Sequence, residues 1–243
     1  MKPRISVIVP AYNEGEAILP FLDRLFEAVT LPLEVLVVYD HPDDTTAPYL
    51  EKYAQDEVRL MPNLNRYHPG PAWAIRYGID NASADVLVVT MADGSDDPTQ
   101  IDQLAMLVER GAVVAAASRY VRGGQQLGGP RLKGWLSRWA GKSLHLLARV
   151  GTHDATSSFK AYSRDFIRRV GIESDSGFEI ALELVAKARR RREPVAEIPT
   201  IWRDRSHGDS NFKLARWLPS YLRWYVYAFG PRIRDNRPRK SQA

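Results

Sequence analysis

The sequence contains no cysteine. Disulfide bonds and cysteine-based zinc or iron–sulfur sites are therefore excluded, and this absence is typical of proteins in a reducing compartment. The sequence also lacks an apolar run close to the roughly 18 to 20 residues that a membrane-spanning helix needs, and a strand pattern begins within a few residues of Met1. We therefore expect a soluble or peripheral chain without a signal peptide.

The formal net charge of +5 is concentrated at the end of the chain. Residues 231–243 carry one acidic side chain, Asp235, and five basic ones: Arg232, Arg234, Arg237, Arg239 and Lys240. Such a tail binds nucleic acid or anionic lipid, or is a solvated, disordered end. We expect no nucleic-acid partner, because the preceding segment has no recognisable nucleic-acid-reading motif.

That preceding segment, residues 212–230, is rich in aromatic and basic side chains: Trp217, Tyr221, Trp224, Tyr225, Tyr227 and Phe229, with Lys213, Arg216 and Arg223. Aromatic rings favour the headgroup level of a bilayer, and arginines attract anionic lipid. The pattern predicts two short interfacial helices, separated at Pro219, that lie on a membrane with the tail. Alternatively, the aromatic rings pack back on the domain or form a dimer interface.

Apolar, β-branched segments alternate with amphipathic helical patterns along the chain. Residues 5–9, 33–38 and 86–89 predict buried parallel strands, and residues 16–29 and 47–54 predict helices between them. This alternation predicts one doubly wound α/β domain, for which 243 residues with 44% hydrophobic side chains are sufficient. Further elements are predicted in the second half: a strand at 113–117, helices at 135–150 and 178–191, and an extended segment at 195–202. Residues 122–134 are rich in glycine and flanked by charge, which predicts a mobile active-site loop.

Polar side chains follow the first two predicted strands. They are Tyr12, Asn13 and Glu14 after strand one, and Asp40, Asp43 and Asp44 after strand two. In doubly wound sheets, ligands bind beyond the carboxyl ends of the strands. An aromatic face, an amide and carboxylates at that edge suit a nucleoside, although the same residue types also cap helices.

The loop after the third strand, residues 90–98, holds three carboxylates, Asp93, Asp96 and Asp97. So much negative charge in one tight turn is costly unless a cation offsets it. Mg²⁺ and Mn²⁺ prefer oxygen ligands and are commonly shared with substrate phosphates. The loop therefore predicts a diphosphate–metal site, with the alternative that Asp97 merely caps a helix beginning near Thr99.

The order of these segments resembles family 2 of the glycosyltransferases, and especially the polyprenyl-phosphate (dolichol-phosphate) mannosyl- and glucosyltransferases. The resemblance covers most of residues 4–214. It rests on IVPAYNE, the two acidic loops, Ser118-Arg119-Tyr120 with Gly123-Gly124, LKGWLSR, DATSSFKAYSR, GFEIALELVAKA and EIPTIWRDRSHGDSNFKL. It implies a GT-A fold, which is a doubly wound, mostly parallel, Rossmann-like sheet, over residues 1–211. The interfacial helices at 212–230 and the basic tail at 231–243 follow.

The resemblance also implies an activity. A hexose, mannose or glucose, would move with inversion from a nucleotide-diphosphate sugar of the GDP-mannose or UDP-glucose type to a polyprenyl or dolichyl phosphate. Mg²⁺ or Mn²⁺ would bridge the donor phosphates. We expect a cytoplasmic enzyme, peripheral on the cytoplasmic face of a membrane, with a second copy of the chain or a membrane-anchor protein as further candidate partners.

Donor-binding positions carried over from the family are Pro10, Tyr12, Asn13, Glu14, Asp40, Asp44 and Asp93. Asp93 matches the second carboxylate of the family's Asp-x-Asp metal motif, whereas Met91 replaces the first. Metal binding then rests on Asp93 with Asp96 or Asp97, or on Asp93 and the diphosphate alone. Tyr39 and His41-Pro42 also depart from the family pattern, which leaves the base of the nucleotide open.

Positions that match phosphate-binding residues of the relatives are Arg119, Lys133, Ser137, Arg205, Ser210 and Lys213. Asp93, Arg119 and Arg205 are the expected catalytic residues. A phosphate nucleophile is already ionised at neutral pH, so the reaction needs charge neutralisation and alignment more than a strong base. If a base is needed, Glu179 or Glu183 is the candidate, unless both simply lie on an amphipathic helix.

Two rival interpretations also fit the sequence. One is a glycosyltransferase that acts on a soluble sugar or a growing glycan. The other is a non-catalytic nucleotide-sugar-binding scaffold, suggested by Met91 in the metal motif. His68, His145 and His153 lack metal-ligand spacing along the chain and are interpreted as structural.

Overall fold

A computed structural model describes residues 2–129, 131–204 and 214–233, with the backbone alone for 131–133 and 214–216. The strands are β1 (Ile5–Ala11), β2 (Leu33–Tyr39), β3 (Leu60–Leu64), β4 (Val86–Val89), β5 (Val114–Ser118), β6 (Gln125–Leu127), β7 (Lys160–Ser163), β8 (Val195–Pro199) and β9 (Ile201–Arg203). The α-helices are α1 (Leu19–Ala28), α2 (Ala47–Asp56), α3 (Pro71–Asn81), α4 (Ile101–Glu109), α5 (Arg131–Ser143), α6 (Arg164–Val170), α7 (Ile180–Arg191) and α8 (Leu214–Ala228).

Seven of these strands form one sheet in the order β3-β2-β1-β4-β7-β5-β8. The pairs among β1, β2, β3 and β4 are parallel, as is β5 with β8, whereas β7 runs antiparallel between β4 and β5. The predicted mostly parallel α/β sheet is therefore confirmed. The antiparallel β7 is an addition that the sequence pattern did not indicate.

Helices cover both faces of this sheet, which explains the continuous apolar runs of β1 and β2. Every residue of both strands is buried. Ile5, Val7 and Val9 face a core that includes side chains of α1, α2 and α4. Ile8 faces the opposite core, which includes side chains of α3, α6, α7 and α8. The sheet is thus a rigid platform whose carboxyl edge can position loops.

Residues 122–134, predicted as a mobile active-site loop, contain β6, which pairs in parallel with β9, and their mobility stays a prediction. One sequence-based expectation is wrong in the described structure. Pro219 does not divide the C-terminal segment, because α8 continues through it. A proline early in a helix removes a single backbone hydrogen bond, and the packing of α8 offsets that loss.

Most aromatic side chains of the C-terminal segment pack back on the domain. Trp217 packs edge-to-face on Phe178, and Trp224 belongs to the buried core. Tyr221, Tyr225 and Tyr227 are partly buried against the same core, whereas Phe229, just after α8, is exposed. The exposed face of α8 carries Leu218, Leu222 and Val226. The alternative that the aromatics pack back on the domain is therefore confirmed for all of them except Phe229. Among the described residues, no helix is both long and apolar enough to cross a membrane.

Candidate active site

The carboxyl ends of β2, β1 and β4 lie side by side, as the predicted site requires. Ile8 of β1 is in register with Val89 of β4, and the backbone N–H of Thr90 donates to the Ile8 carbonyl at 3.1 Å. On the other side, Ala11 is in register with Tyr39 of β2. The three polar loops therefore begin at the same edge of the sheet, and Pro10 is buried where β1 ends.

The first two loops are joined by hydrogen bonds to backbone groups. The backbone N–H of Asn13 donates to Asp44 at 3.0 Å, and that of Glu14 donates to Thr46 Oγ1 at 2.9 Å. In return, Asn13 Oδ1 accepts from the backbone N–H of Thr45 at 3.2 Å. Asp44 is buried, and its hydrogen bond from Asn13 holds the two loops together. Neighbouring Tyr12 keeps 56% of its surface exposed and presents a ring to a ligand.

Asp40 connects the second loop to the start of α3. Its Oδ1 accepts from the side-chain amide of Asn65 at 2.8 Å, and its Oδ2 accepts from the backbone N–H of Gly70 at 2.7 Å. Gly70 precedes α3 with φ of 120°, a backbone conformation that favours glycine. Asp40 therefore connects the end of the second loop to the start of α3, and its side chain is only partly buried.

The three carboxylates of the acidic turn have three different environments. Asp97 caps the short helix Pro98–Gln100, accepting from the backbone N–H of Thr99 at 3.1 Å. Asp96 is buried and accepts from Thr90 Oγ1 and from the backbone N–H of Met91, each at 3.1 Å. Asp93 is partly exposed, and its Oδ1 accepts from the backbone N–H of Ser95 at 3.0 Å. The turn is therefore built on Asp96 and Asp97, and it presents Asp93.

Asp96 carries an unusual electrostatic load. Burial, followed by the nearby charge of Asp93, raises its pKa to about 7, while hydrogen bonds and the charge of Arg119 act in the opposite direction. The charge of Arg119 is the smallest of these influences, so it offsets only a small part of the cost of burying Asp96. Arg119 acts on Asp96 from the end of β5, which places this predicted catalytic residue at the acidic turn.

Arg119 is held by a buried ion pair. Its Nε donates to Asp154 Oδ2 at 2.7 Å and its Nη2 to Asp154 Oδ1 at 2.9 Å, a two-pronged geometry that fixes the guanidinium plane. The same Nη2 donates to Ser137 Oγ at 3.2 Å. Arg119 and Ser137, both predicted phosphate-binding residues, are therefore in direct contact. The pKa of Asp154 stays below its usual value although burial opposes this, because Arg119 is so close.

Lys160 is a further buried cation at this edge, and the sequence reasoning assigned it no role. It lies at the start of β7, in register with Val89 and with Ala116. Its ammonium group donates to the carbonyl of Ser157. Burial lowers the pKa of Lys160 to about 8, although the charge of Asp154 opposes the shift. The signal was present in the segment DATSSFKAYSR, which holds both Asp154 and Lys160.

Part of the predicted acceptor site lies outside the described residues. Arg205, Ser210 and Lys213 belong to the segment that is not described, as does the side chain of Lys133. The described chain leads to that segment from the acidic turn, since the backbone N–H of Arg203 donates to the Ser95 carbonyl at 3.1 Å.

The two general-base candidates, Glu179 and Glu183, accept hydrogen bonds from backbone N–H groups. Glu179 accepts from the N–H groups of Ser176 and Gly177 at 3.0 and 2.7 Å, just before α7. Glu183 accepts from Lys187 Nζ at 2.6 Å and from two further backbone N–H groups. Both side chains are buried. These contacts argue against the base role, which stays a prediction, and the helix that carries Glu183 is buried along Ile180–Ala188.

A divalent cation fits the donor set at the turn through Asp93. Magnesium-type ions are commonly held by one or two carboxylates together with substrate phosphates and water. Among the described residues, Asp93, Asp96 and Asp97 do not form a three-carboxylate cluster of metal-binding dimensions. Asp93 is partly exposed whereas Asp96 is buried, so Asp93 is the more accessible of these two carboxylates. Which carboxylates bind metal stays a prediction.

Sequence comparison identifies the relatives of the chain. Residues 6–171 match Glycosyl transferase family 2. A polyprenol monophosphomannose synthase of Mycolicibacterium smegmatis is 30% identical over 235 residues, with 88% of this chain and 86% of that protein covered. An undecaprenyl-phosphate mannosyltransferase of Micrococcus luteus is 30% identical over 215 residues, with 85% and 86% covered.

Comparison with solved structures identifies the fold. Glucosyl-3-phosphoglycerate synthase from Mycobacterium tuberculosis, in complex with Mn²⁺, UDP and glucosyl-3-phosphoglycerate, superimposes with a TM-score of 0.67 at 18% identity. The match covers 95% of this chain and 81% of that one. The same enzyme with Mg²⁺ and UDP gives a TM-score of 0.65 at 18% identity, with 95% and 81% covered. The α/β fold is therefore of the GT-A type, and the chain belongs to glycosyl transferase family 2 and is a glycosyltransferase.

Proposed function

We propose that this enzyme transfers a hexose, mannose or glucose, with inversion from a nucleotide-diphosphate sugar to a polyprenyl phosphate at a membrane surface. The observation that carries the proposal is the contact of Arg119 with Asp154 and Ser137 beside the acidic turn. A fixed guanidinium next to a predicted metal corner suits two phosphate groups that must approach each other. The similarity to the two lipid-phosphate mannosyltransferases supports the lipid acceptor.

The donor half of the site follows from the three loops. Tyr12, Asn13, Glu14, Asp40 and Asp44 would hold the nucleoside, partly by direct contact and partly by fixing the loops. Asp93 would hold Mg²⁺ or Mn²⁺, which supplies charge neutralisation for the donor diphosphate when bound. Asp96, behind Asp93, supports the turn through Thr90 and Met91.

The acceptor half needs positive charge rather than a base. A polyprenyl phosphate is ionised at neutral pH, so its oxygen attacks the anomeric carbon directly and the nucleotide diphosphate leaves. Arg119 would align one phosphate, with Asp154 fixing its plane and Ser137 adding a hydroxyl. Arg205, Lys133, Ser210 and Lys213 complete the proposed phosphate-binding set.

Exposed apolar side chains mark the proposed membrane surface. On α8, Leu218, Leu222 and Val226 repeat at helical spacing, and the exposed Phe229 follows the helix. On α5 and the π-helix that follows it, Trp135, Trp139, Leu146 and Leu147 are exposed. A hydrogen bond of 2.8 Å between Ser143 Oγ and Tyr225 Oη links the two elements. Together with the basic tail, these side chains would hold the enzyme at the cytoplasmic face of an anionic membrane.

The proposal is tested by transfer to two acceptors. Purified protein would be incubated with GDP-mannose or UDP-glucose, Mn²⁺ or Mg²⁺, and either vesicles containing polyprenyl phosphate or soluble 3-phosphoglycerate. We expect a lipid-linked hexose, and a loss of about 100-fold or more in Asp93→Ala. Transfer to the soluble acceptor alone would favour a glycosyltransferase that acts on a soluble sugar or glycan. Donor binding without any transfer would favour the scaffold.

Vesicle binding is measured with a matched pair of variants. Leu222→Asp combined with Val226→Asp should abolish co-sedimentation with anionic vesicles, because charge is introduced on the exposed face of α8. Val58→Asp is the control, since Val58 is 85% exposed but lies after α2. Equal sedimentation of both proteins would contradict the membrane part of the proposal.

A further inference from the structure

A second group of metal-ligand side chains lies apart from the acidic turn. It consists of His145, His153 and Glu197, which come from the π-helix Leu144–Ala148, from the turn that follows it and from β8. One potential ligand atom from each residue lies within 4.8 Å of the others. Among the described residues, these three form the only such group of histidine and carboxylate side chains.

The carboxylate of this group is held in place from one side. Glu197 Oε2 accepts from the backbone N–H of His153 at 2.8 Å and from Thr152 Oγ1 at 3.0 Å. Glu197 Oε1 lies 2.6 Å from His153 Nδ1. Supporting hydrogen bonds of this kind orient a ligand before the ion arrives, which is how metal sites in proteins are commonly built.

His145 provides a second observation that points to a ligand. The rings of His145 and His153 are stacked, with centroids 3.6 Å apart and an angle of 21° between their planes. His145 Nδ1 is buried and has no hydrogen-bond partner among the described residues. Buried polar atoms without a partner are rare and costly, so an unobserved ion or water is a reasonable explanation.

The backbone around His145 is also unusual. The last turn of the helix is a π-helix, which ends at Arg149 with φ of 59°, in the left-handed region. Single π-helical turns are rare and often occur at functional sites. His145 lies in this π-helical turn, and His153 lies in the turn that follows it. The irregular backbone is therefore next to the two stacked rings.

We propose that His145, His153 and Glu197 bind a Zn²⁺ ion, or a similar divalent transition metal, with a position left for water. Two imidazoles and one carboxylate suit zinc, whereas Mg²⁺ prefers oxygen ligands alone. Ligand atoms of a tetrahedral zinc site lie about 3.4 Å apart, given zinc–ligand bonds of about 2.1 Å. Binding would require the stacked rings to turn so that one nitrogen of each points at the ion, and the ligand atoms, now within 4.8 Å of one another, to move together. Bonds to the metal would replace the His153–Glu197 hydrogen bond.

The location of the site suggests what the metal does. It connects the end of α5 to β8 and to the turn that leads to Asp154, whose backbone N–H donates to Thr152 Oγ1 at 3.1 Å. Asp154 holds Arg119, and α5 carries Ser137. A bound zinc ion therefore stabilises the side of the molecule on which Arg119 is held, and it is a different ion from the one expected at Asp93.

The test uses the full-length protein, treated with EDTA and then freed of it. ZnCl₂ would be titrated calorimetrically at pH 7.5, and the Tm measured with and without zinc. We expect one zinc ion per chain, a higher Tm, and weaker binding near pH 5.5, because histidine ligands must be neutral. An excess of Mg²⁺ should not compete. A stoichiometry near zero would overturn the proposal.

Matched variants separate this site from others. His145→Phe keeps a stacked ring but removes the ligand nitrogen, and it should weaken zinc binding by at least about tenfold, as should Glu197→Gln. His68→Phe is the control, because His68 packs on Trp73 away from this group. Asp93→Asn should bind zinc as the wild type does, whether or not the transfer reaction fails. Unchanged binding in both His145→Phe and Glu197→Gln, or loss in Asp93→Asn, would contradict the assignment.

Folding of the variants is checked without zinc. The Tm of His145→Phe in EDTA should equal that of the wild type, so that any difference in zinc binding reflects a lost ligand. The absorption spectrum of the Co²⁺-substituted protein gives a second reading of the ligand set, because its visible bands respond to coordination geometry. A spectrum identical in wild type and His145→Phe would overturn the ligand role of His145.

Discussion

The two halves of the carboxyl edge hold their loops by different means. At β1 and β2, carboxylates accept hydrogen bonds from backbone N–H groups, as Asp44 and Asp40 do. At β4, β7 and β5, buried charges face each other, with Asp96 and Asp154 near Arg119 and Lys160. The first arrangement fixes loop shape at modest cost. The second depends on complete charge pairing, because an unpaired buried charge is expensive.

Removing one charge from the buried half should have the largest effect. Asp154→Asn leaves the buried Arg119 without its ionic partner and should lower the free energy of unfolding by about 3 to 5 kcal/mol. Urea denaturation at pH 7.5 measures the change. Asp165→Asn is the control, because the Asp165 side chain is 77% exposed in its pair with Arg169. It should cost less than about 1 kcal/mol, and equal losses would argue against a buried charge network.

The buried half also predicts a dependence on pH through Lys160. Burial lowers the pKa of this lysine to about 8 from its usual 10.5. Between these values the unfolded chain binds more protons than the native one, so the contribution of Lys160 to stability rises with pH, by at most about 3 kcal/mol. Denaturation at pH 8, 9 and 10 should show this rise in the wild type and its loss in Lys160→Met. The exposed Lys52→Met should retain it, and a rise that persists in Lys160→Met would refute the assignment.

The donor half should respond more mildly. Asp44→Asn replaces one carboxylate oxygen by an amide nitrogen, which cannot accept, so the full set of hydrogen bonds from Asn13 and Thr46 is lost; the change should cost about 1 to 3 kcal/mol in stability. Binding of the nucleotide donor should weaken as well, because the two loops separate. Asp43→Asn is the adjacent control: its side chain is 91% exposed, and its effect should stay within about 0.5 kcal/mol. Indistinguishable variants would mean that Asp44 does not join the loops.

The sequence predicted the first half of the fold well because its strands are locally consistent. β1, β2 and β4 are β-branched runs, and their ends coincide with the polar loops. β3 was not predicted, because its sequence, LMPNL, contains a proline and an asparagine. Both residues are tolerated because β3 is an edge strand. α3 contains Gly78, where a Cβ would lie 2.6 Å from Ile8, so close packing outweighs helix propensity.

The charge network could not be read from the sequence because it is tertiary. Arg119 and Asp154 are 35 positions apart and meet only because β7 inserts antiparallel between β4 and β5. Likewise, the histidine pair has no metal-ligand spacing along the chain, and the fold alone brings its rings together. Position-by-position resemblance located Arg119 and Ser137, whereas the residue that orients Arg119 required the structure.

Asp93 is the proposed corner where a divalent cation and the donor diphosphate meet. Its most direct test is calorimetric binding of GDP and UDP to the wild type, Asp93→Asn and Asp97→Asn, with Mn²⁺ and with EDTA. We predict Mn²⁺-dependent binding of one nucleotide to the wild type and to Asp97→Asn, and at least about tenfold weaker binding to Asp93→Asn. Equal Mn²⁺-dependent affinity in Asp93→Asn, or no nucleotide binding to the wild type, would contradict the account.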